Sequence, residues 1–169
     1  MPRLIVTATL IVASLGLAAC KTTNKTLPPD PGTGTTTTMP TTNPNPGPVP
    51  GSQADFLASV MSDTVYFDTD RYNIDTADMA ALQSQAQWLA RYPGKRIIIE
   101  GHCDERGTRD YNIALGERRA NAAKNYLTSI GVDSSRITTV SYGKEKPIAM
   151  GSDESSWARN RRAVTVTVQ

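Results

Sequence analysis

The sequence predicts an α/β sandwich, with helices on one face of a mixed sheet of about four strands and the other face largely open. Three observations predict it. Short β-branched runs alternate with two long segments of helical period, the pattern of helices layered on a sheet. The consecutive isoleucines Ile97, Ile98 and Ile99 read as a central strand. The final stretch alternates Val164, Val166 and Val168 with Thr165 and Thr167, which gives one buried and one wet face.

Before the folded part, residues 1–19 read as a targeting segment. Arg3 supplies a positive start, and Leu4 to Leu17 is an apolar stretch too short for a good membrane span, which fits a signal h-region. It ends Leu17-Ala18-Ala19-Cys20, which resembles a bacterial lipobox. That resemblance implies cleavage before Cys20 and lipid attached to Cys20, since several acyl chains hold a membrane far better than one. Lys21 stands where an aspartate would signal inner-membrane retention in enteric-type bacteria, so the outer membrane is the expected location, with the domain in the periplasm.

Residues 20–52 are expected to be a linker. Eight of the eleven prolines and ten threonines fall in it, with almost no large apolar groups to offset the entropy of ordering. Extended polyproline geometry gives it a reach of about 100 Å, and a flexible coil about 30 Å.

Residues 53–169 then form one domain of 117 residues, enough for a single core. Phe56 to Met61 suggests a short helical turn, and Thr64 to Phe67 a short strand followed by a polar loop to Asn73. Asp75 is the cap of a helix running to about Tyr92, with Met79, Leu82, Ala86, Leu89 and Ala90 at helical spacing. Pro93-Gly94 stops it. Arg96 to His102 is the second strand. A helix follows, capped by Thr108 or Asp110, with Gly116, Ala120, Ala123, Leu127 and Ile130 on one face and Gly131 at its end. Arg136 to Tyr142 and Arg162 to Val168 are the last strands, with a helical turn near Trp157 between them.

The chemistry points to binding rather than catalysis. The net charge of +2 is too small for a nucleic-acid partner. The single histidine, His102, neighbours Cys103 on a strand, so the two side chains point to opposite faces and cannot form a nucleophile pair or a metal site with Asp104 and Glu105. Asp68, Asp70 and Asn73 hint at a calcium loop, but Asn73 replaces the required glycine and Met79 the closing glutamate, so no metal is expected. Asp104 ends the second strand, and Arg119 lies on the following helix beside the Gly116–Ala120 stripe. Aspartate accepts from an ammonium and arginine grips a carboxylate with two prongs. The pair could therefore hold a zwitterion, or simply bind each other. Gly101 allows a close approach to the strand, and Gly107 a tight loop.

The stretch Glu100-Gly-His-Cys-Asp-Glu-Arg-Gly-Thr-Arg-Asp-Tyr-Asn-Ile-Ala-Leu-Gly-Glu-Arg-Arg-Ala120 resembles the central motif of OmpA-like peptidoglycan-binding domains. Val65-Tyr-Phe-Asp68, Ser141-Tyr-Gly-Lys-Glu-Lys-Pro147 and Asn160-Arg-Arg-Ala-Val164 appear in that family's order. The resemblance implies a β-α-β-α-β-β domain that binds the meso-diaminopimelate of uncrosslinked stem peptides, with no cofactor and no catalysis. It implies ligand-binding roles for Asp104, Arg119 and Asp70, and pocket positions for Asn112, Leu115 and Arg161. His102, Glu105 and Arg106 are expected at the rim or in the scaffold. Together with the lipobox, it implies an outer-membrane lipoprotein of the Tol system, partnered by that system's periplasmic propeller protein and its other Tol proteins, and serving envelope integrity and division. The alternative is an envelope anchor of the same family without a Tol link. Cys103 and Thr69 depart from the family pattern, the first as a packed thiol and the second on the pocket wall.

Overall fold

The computed structural model describes residues 47–168. The signal segment, Cys20 and the linker through residue 46 lie outside the described residues.

A short helix, α1 (Gln53–Ser59), opens the fold and is capped by Ser52, whose hydroxyl accepts from the Asp55 N–H. It is followed by β1 (Thr64–Tyr66), α2 (Thr76–Arg91), β2 (Arg96–His102), α3 (Arg109–Ser129), a 3₁₀ turn (Ser134–Arg136), β3 (Ile137–Gly143), α4 (Glu154–Asn160) and β4 (Arg162–Val168). The sheet order is β1-β4-β2-β3. β2 runs parallel to β3, and β4 is antiparallel to both β1 and β2. The isoleucine strand is therefore interior, as its composition requires. Among the described residues no helix is long and apolar enough to cross a membrane.

The core lies on the helical face of the sheet. Ile97 and Ile99 of β2 meet Leu82, Trp88 and Leu89 of α2 and Ala120, Ala123 and Leu127 of α3. Phe56 packs edge-on against Trp88, with ring centroids 5.0 Å apart, so α1 closes one end. Two sequence expectations need correction. The buried face of α2 is Ala81, Leu82, Gln85, Trp88 and Leu89, while Met79 and Ala90 are exposed. Trp88, the largest group on the helix, turns that face toward itself and α1. Ile130 is likewise exposed, as the C-terminal cap just past the last turn of α3.

In β4 the wet face is the valine face. Ala163, Thr165 and Thr167 point into the core and Val164 and Val166 are half-buried on the open side. The inward threonines are possible because each finds an acceptor. Thr165 Oγ1 donates to Gln85 Oε1 at 2.8 Å, and Thr167 Oγ1 to Gln53 Oε1 at 2.8 Å. A buried hydroxyl with a partner avoids the cost of desolvation that an orphan would carry.

Gly101 and Gly116 fix the distance between β2 and α3. A Cβ on Gly101 would collide with the Gly116 carbonyl, whose carbon lies 2.6 Å away, and a Cβ on Gly116 would meet the Gly101 oxygen at 2.9 Å. Only two glycines let helix and strand backbones touch here. This contact sets α3 so that its first turns border the loop after β2.

Candidate functional site

At the C-terminal end of β2 the chain leaves the sheet through Cys103 and Asp104, turns at Gly107 with φ 84°, and enters α3 under the Thr108 cap. The loop is held from several sides. Asn112 Nδ2 donates to the carbonyls of Arg106 (2.7 Å) and Thr108 (3.0 Å), and Lys144 Nζ to those of Glu105 (3.1 Å) and Gly107 (2.7 Å). Trp157 Nε1 donates to Glu105 Oε1 at 3.0 Å. The loop is thereby anchored to α3, the β3 end and α4.

Between this loop, the first turns of α3 and the segment after β1 lies a pocket of about 250 Å³. Asp70, Asp104, Asn112, Leu115 and Arg119, all expected at the site, line it. Arg161 does not. It sits behind Asp104, buried, with Nε donating to the Phe67 carbonyl (2.9 Å), Nη1 to Asp104 Oδ2 (3.4 Å) and Nη2 to Glu154 Oε1 (2.7 Å).

Arg119 is 1 % exposed and forms no ion pair within 4.0 Å among the described residues. Its guanidinium instead donates to three carbonyls: Arg71 (2.9 Å), His102 (2.9 Å) and Asp68 (3.1 Å). The first and third bracket the turn that carries Asp70, and the second belongs to the end of β2. One side chain thus joins both loops of the pocket. Burial pushes its pKa down, but an arginine stays charged across the ordinary pH range. Asp104 and Arg119 are therefore near neighbours in one pocket without pairing.

Asp104 has other cations. Its Oδ1 accepts from the Arg106 N–H and Nε, both at 3.1 Å, and its Oδ2 from Arg106 Nη2 at 2.6 Å as well as from Arg161. Burial pushes its pKa up, and these bonds and charges together outweigh that and hold the carboxyl below its ordinary value. Asp70 is the one non-glycine residue with positive φ (55°) among those described, a conformation aspartate tolerates better than most. Its Oδ1 accepts from the Tyr111 hydroxyl at 3.1 Å.

Cys103 lines the pocket floor, 3 % exposed, with Sγ 3.3 Å from the Asn112 carbonyl. Burial pushes its thiol up to about 11, so it is a protonated packing group and a poor nucleophile. His102 faces the opposite side of the sheet, stacked on Tyr142 with ring centroids 5.5 Å apart. No group of three His, Cys, Asp or Glu side chains among the described residues could hold a metal ion.

One contributor, Tyr111, and one pairing, that of Arg106, were not legible in the sequence. Tyr111 positions Asp70 from the first turn of α3, and the only sequence signal was an exposed aromatic just after a cap. Arg106 looked like a rim residue but is the principal partner of Asp104. An arginine two residues after an aspartate and just before a turn glycine is the pattern that could have shown it.

Comparison with known proteins agrees with this architecture. The model of the OmpA family matches residues 66–161. A peptidoglycan-associated lipoprotein of Rhizobium meliloti is 51% identical over 156 residues, covering 92% of this chain and 84% of that protein. Another of that name from Agrobacterium fabrum is 57% identical over 117 residues, 69% of this chain and 66% of its own length. The crystal structure of the peptidoglycan-associated lipoprotein from Burkholderia pseudomallei superposes with a TM-score of 0.62 at 47% identity, over 67% of this chain and 93% of that one. With a glycine-spaced strand and helix bearing an aspartate and an unpaired arginine, in a domain matched over most of its length, the chain belongs to the OmpA family, among its peptidoglycan-associated lipoproteins.

Proposed function

We propose that the pocket binds peptidoglycan noncovalently by the free end of meso-diaminopimelate in uncrosslinked stem peptides. One observation carries this reading. A buried arginine without a carboxylate partner lines a pocket that also presents an ionised aspartate. A lone buried charge is costly unless something compensates it, and a ligand carboxylate supplies what the described residues do not. Asp104 then takes the ligand ammonium, Asp70 adds a second carboxylate nearby, and Leu115 forms the apolar wall for the methylene chain. Asn112 shapes the loop, since both its amide hydrogens are already given to carbonyls. Arg161 supports Asp104 from behind. The role is binding without chemistry.

On this reading the chain is a lipoprotein anchored by Cys20 in the outer membrane, its domain in the periplasm, and it ties that membrane to the wall. The names of its relatives support the lipoprotein and peptidoglycan parts. Membership of the Tol–Pal system, with its propeller protein and the other Tol proteins as partners, and service to envelope integrity and division, complete the proposal. Pulldown on purified sacculi tests the core of it. Asp104→Asn keeps the shape of the site and is expected to remove binding; undiminished binding would refute the pocket. Release of Cys20→Ala into the periplasm tests the anchor, and capture of the propeller protein by crosslinking in cells tests the Tol link.

A further inference from the structure

The four acceptor positions of Asp104 are all taken. A carboxylate offers about four lone-pair sites. Arg106 occupies three of them through its N–H (3.1 Å), Nε (3.1 Å) and Nη2 (2.6 Å), and Arg161 occupies the fourth at 3.4 Å. A ligand ammonium therefore has nowhere to donate until a donor leaves.

The two arginines differ in how easily they can leave. The Arg161 side chain is 7 % exposed and pinned by the Phe67 carbonyl and Glu154. The Arg106 side chain is 39 % exposed. Its remaining contacts are Thr69 Oγ1 at 3.3 Å and the Trp157 ring, 4.3 Å below the guanidinium carbon. Its backbone is fixed by the loop, so the side chain can swing while its N–H stays on Asp104.

We propose that the Arg106 guanidinium is an internal competitor for the ligand's ammonium group, occupying Asp104 in the unliganded protein and leaving it when ligand binds. The inference rests on the reading of Asp104 as the ammonium site. Its departure frees two acceptor positions, which suit two hydrogens of an ammonium. The competitor keeps a desolvated aspartate satisfied in the empty pocket, and it lowers affinity by the fraction of molecules in which Asp104 is blocked.

The test is calorimetric titration of the detergent-solubilised full chain with a stem tripeptide ending in meso-diaminopimelate. Arg106→Ala is expected to bind about three- to tenfold more tightly than the wild type, the range of a half-exposed ion pair. Arg106→Lys, which keeps the charge but loses the fork, is expected to fall between the two. A second readout needs no variant. Saturating peptide is expected to change Trp157 fluorescence as the guanidinium leaves its ring, and to leave it unchanged in Arg106→Ala; Trp88 is fully buried against Phe56 and Tyr92 and does not line the pocket. Wild-type binding with equal or weaker binding by Arg106→Ala overturns the competitor alone. Failure of the wild type to bind the peptide overturns the diaminopimelate reading, and the competitor falls with it.

Discussion

At the scale of single residues, Arg119 has a structural duty beside the binding role proposed for it. Its type and place were readable from the motif, and so was its proximity to Asp104. Its hydrogen bonds to Asp68, Arg71 and His102 were not, because carbonyls carry no signature in a sequence. They make Arg119 a staple as well as the proposed ligand group, so Arg119→Lys is expected to lose sacculus binding and about 3 kcal/mol or more of stability. The midpoint of urea unfolding measures the second effect; an unchanged midpoint would mean the three carbonyls are satisfied otherwise. His102 gives a separate residue-scale expectation. It is 1 % exposed, neither ring nitrogen has a hydrogen-bond partner among the described residues, and Glu100 Oε2 stands off at 3.6 Å. Burial first, then the cations Arg162 and Lys146, push its pKa down to about 4. An unfolded histidine titrates near 6.5. Between those values the unfolded chain takes up a proton that the folded chain refuses, so stability is full above about pH 6.5 and falls as pH drops toward 4. The folded protein is expected to lose about 1–2 kcal/mol between pH 7 and pH 5, and His102→Gln to remove that part of the slope in denaturant titrations at the two pH values.

At the scale of elements, the boundaries of β2, α2, α3 and β4 followed from period and capping, because those signals are local. What failed was orientation. The alternation in β4 gives two faces but does not say which is inside, and the threonine face is inside because Gln53 and Gln85 come from distant segments to meet it. On α2, Leu82, Ala86 and Leu89 meet the core as their spacing predicts, but Met79 and Ala90 do not, for the same reason: Trp88 chooses its side by packing against Phe56, far away in sequence. The β2–α3 contact was foreseen in part, since Gly101 marked a close approach on the strand and Gly116 a small residue on the packed face of the helix, but that the two meet each other is visible only in the structure. Gly101→Ala places a methyl against the Gly116 backbone, which has no side chain to move aside. It is expected to cost about 3 kcal/mol or more, lowering the melting midpoint by about 10 °C or more, and to weaken ligand binding by shifting Arg119 with its helix. Circular dichroism melts and sacculus pulldown at a temperature where the variant is folded check the two effects separately. A variant that melts with the wild type would show that the helix can retreat freely.

At the scale of the molecule, the pocket and the two ends of the domain lie at opposite poles of β2. The described chain enters beside the residues just before that strand: a Cβ on Gly51 would stand 3.1 Å from Lys95 Cε and 3.4 Å from Tyr92 Cδ1. β4 finishes there too, with Val168 paired to Arg96. Asp104 lies past the other end of β2, and seven strand residues separate the poles by about 20 Å. The described chain therefore enters its domain at the pole away from the pocket, an arrangement that suits the proposed anchor, since the pocket's own pole is free of the chain's entry and exit. A fluorescent protein joined after Gln169 is accordingly expected to leave sacculus binding intact, whereas the same protein inserted after Gly107 is expected to abolish it. The proposed linker then sets how far the pocket can reach. Deleting residues 26–45 removes 20 residues, about 60 Å of extended polyproline span. Because the deletion removes no residue that lines the pocket, the solubilised variant is expected to bind sacculi as the wild type does. In cells, where its lipid end is held, it is expected to fail to reach the wall, seen as leakage of a periplasmic reporter. Restoring the length with an unrelated proline- and threonine-rich segment is expected to restore retention. If the shortened chain supports the envelope as well as the full one, reach is not what the linker provides, and the tethering part of the proposal fails while the pocket stands.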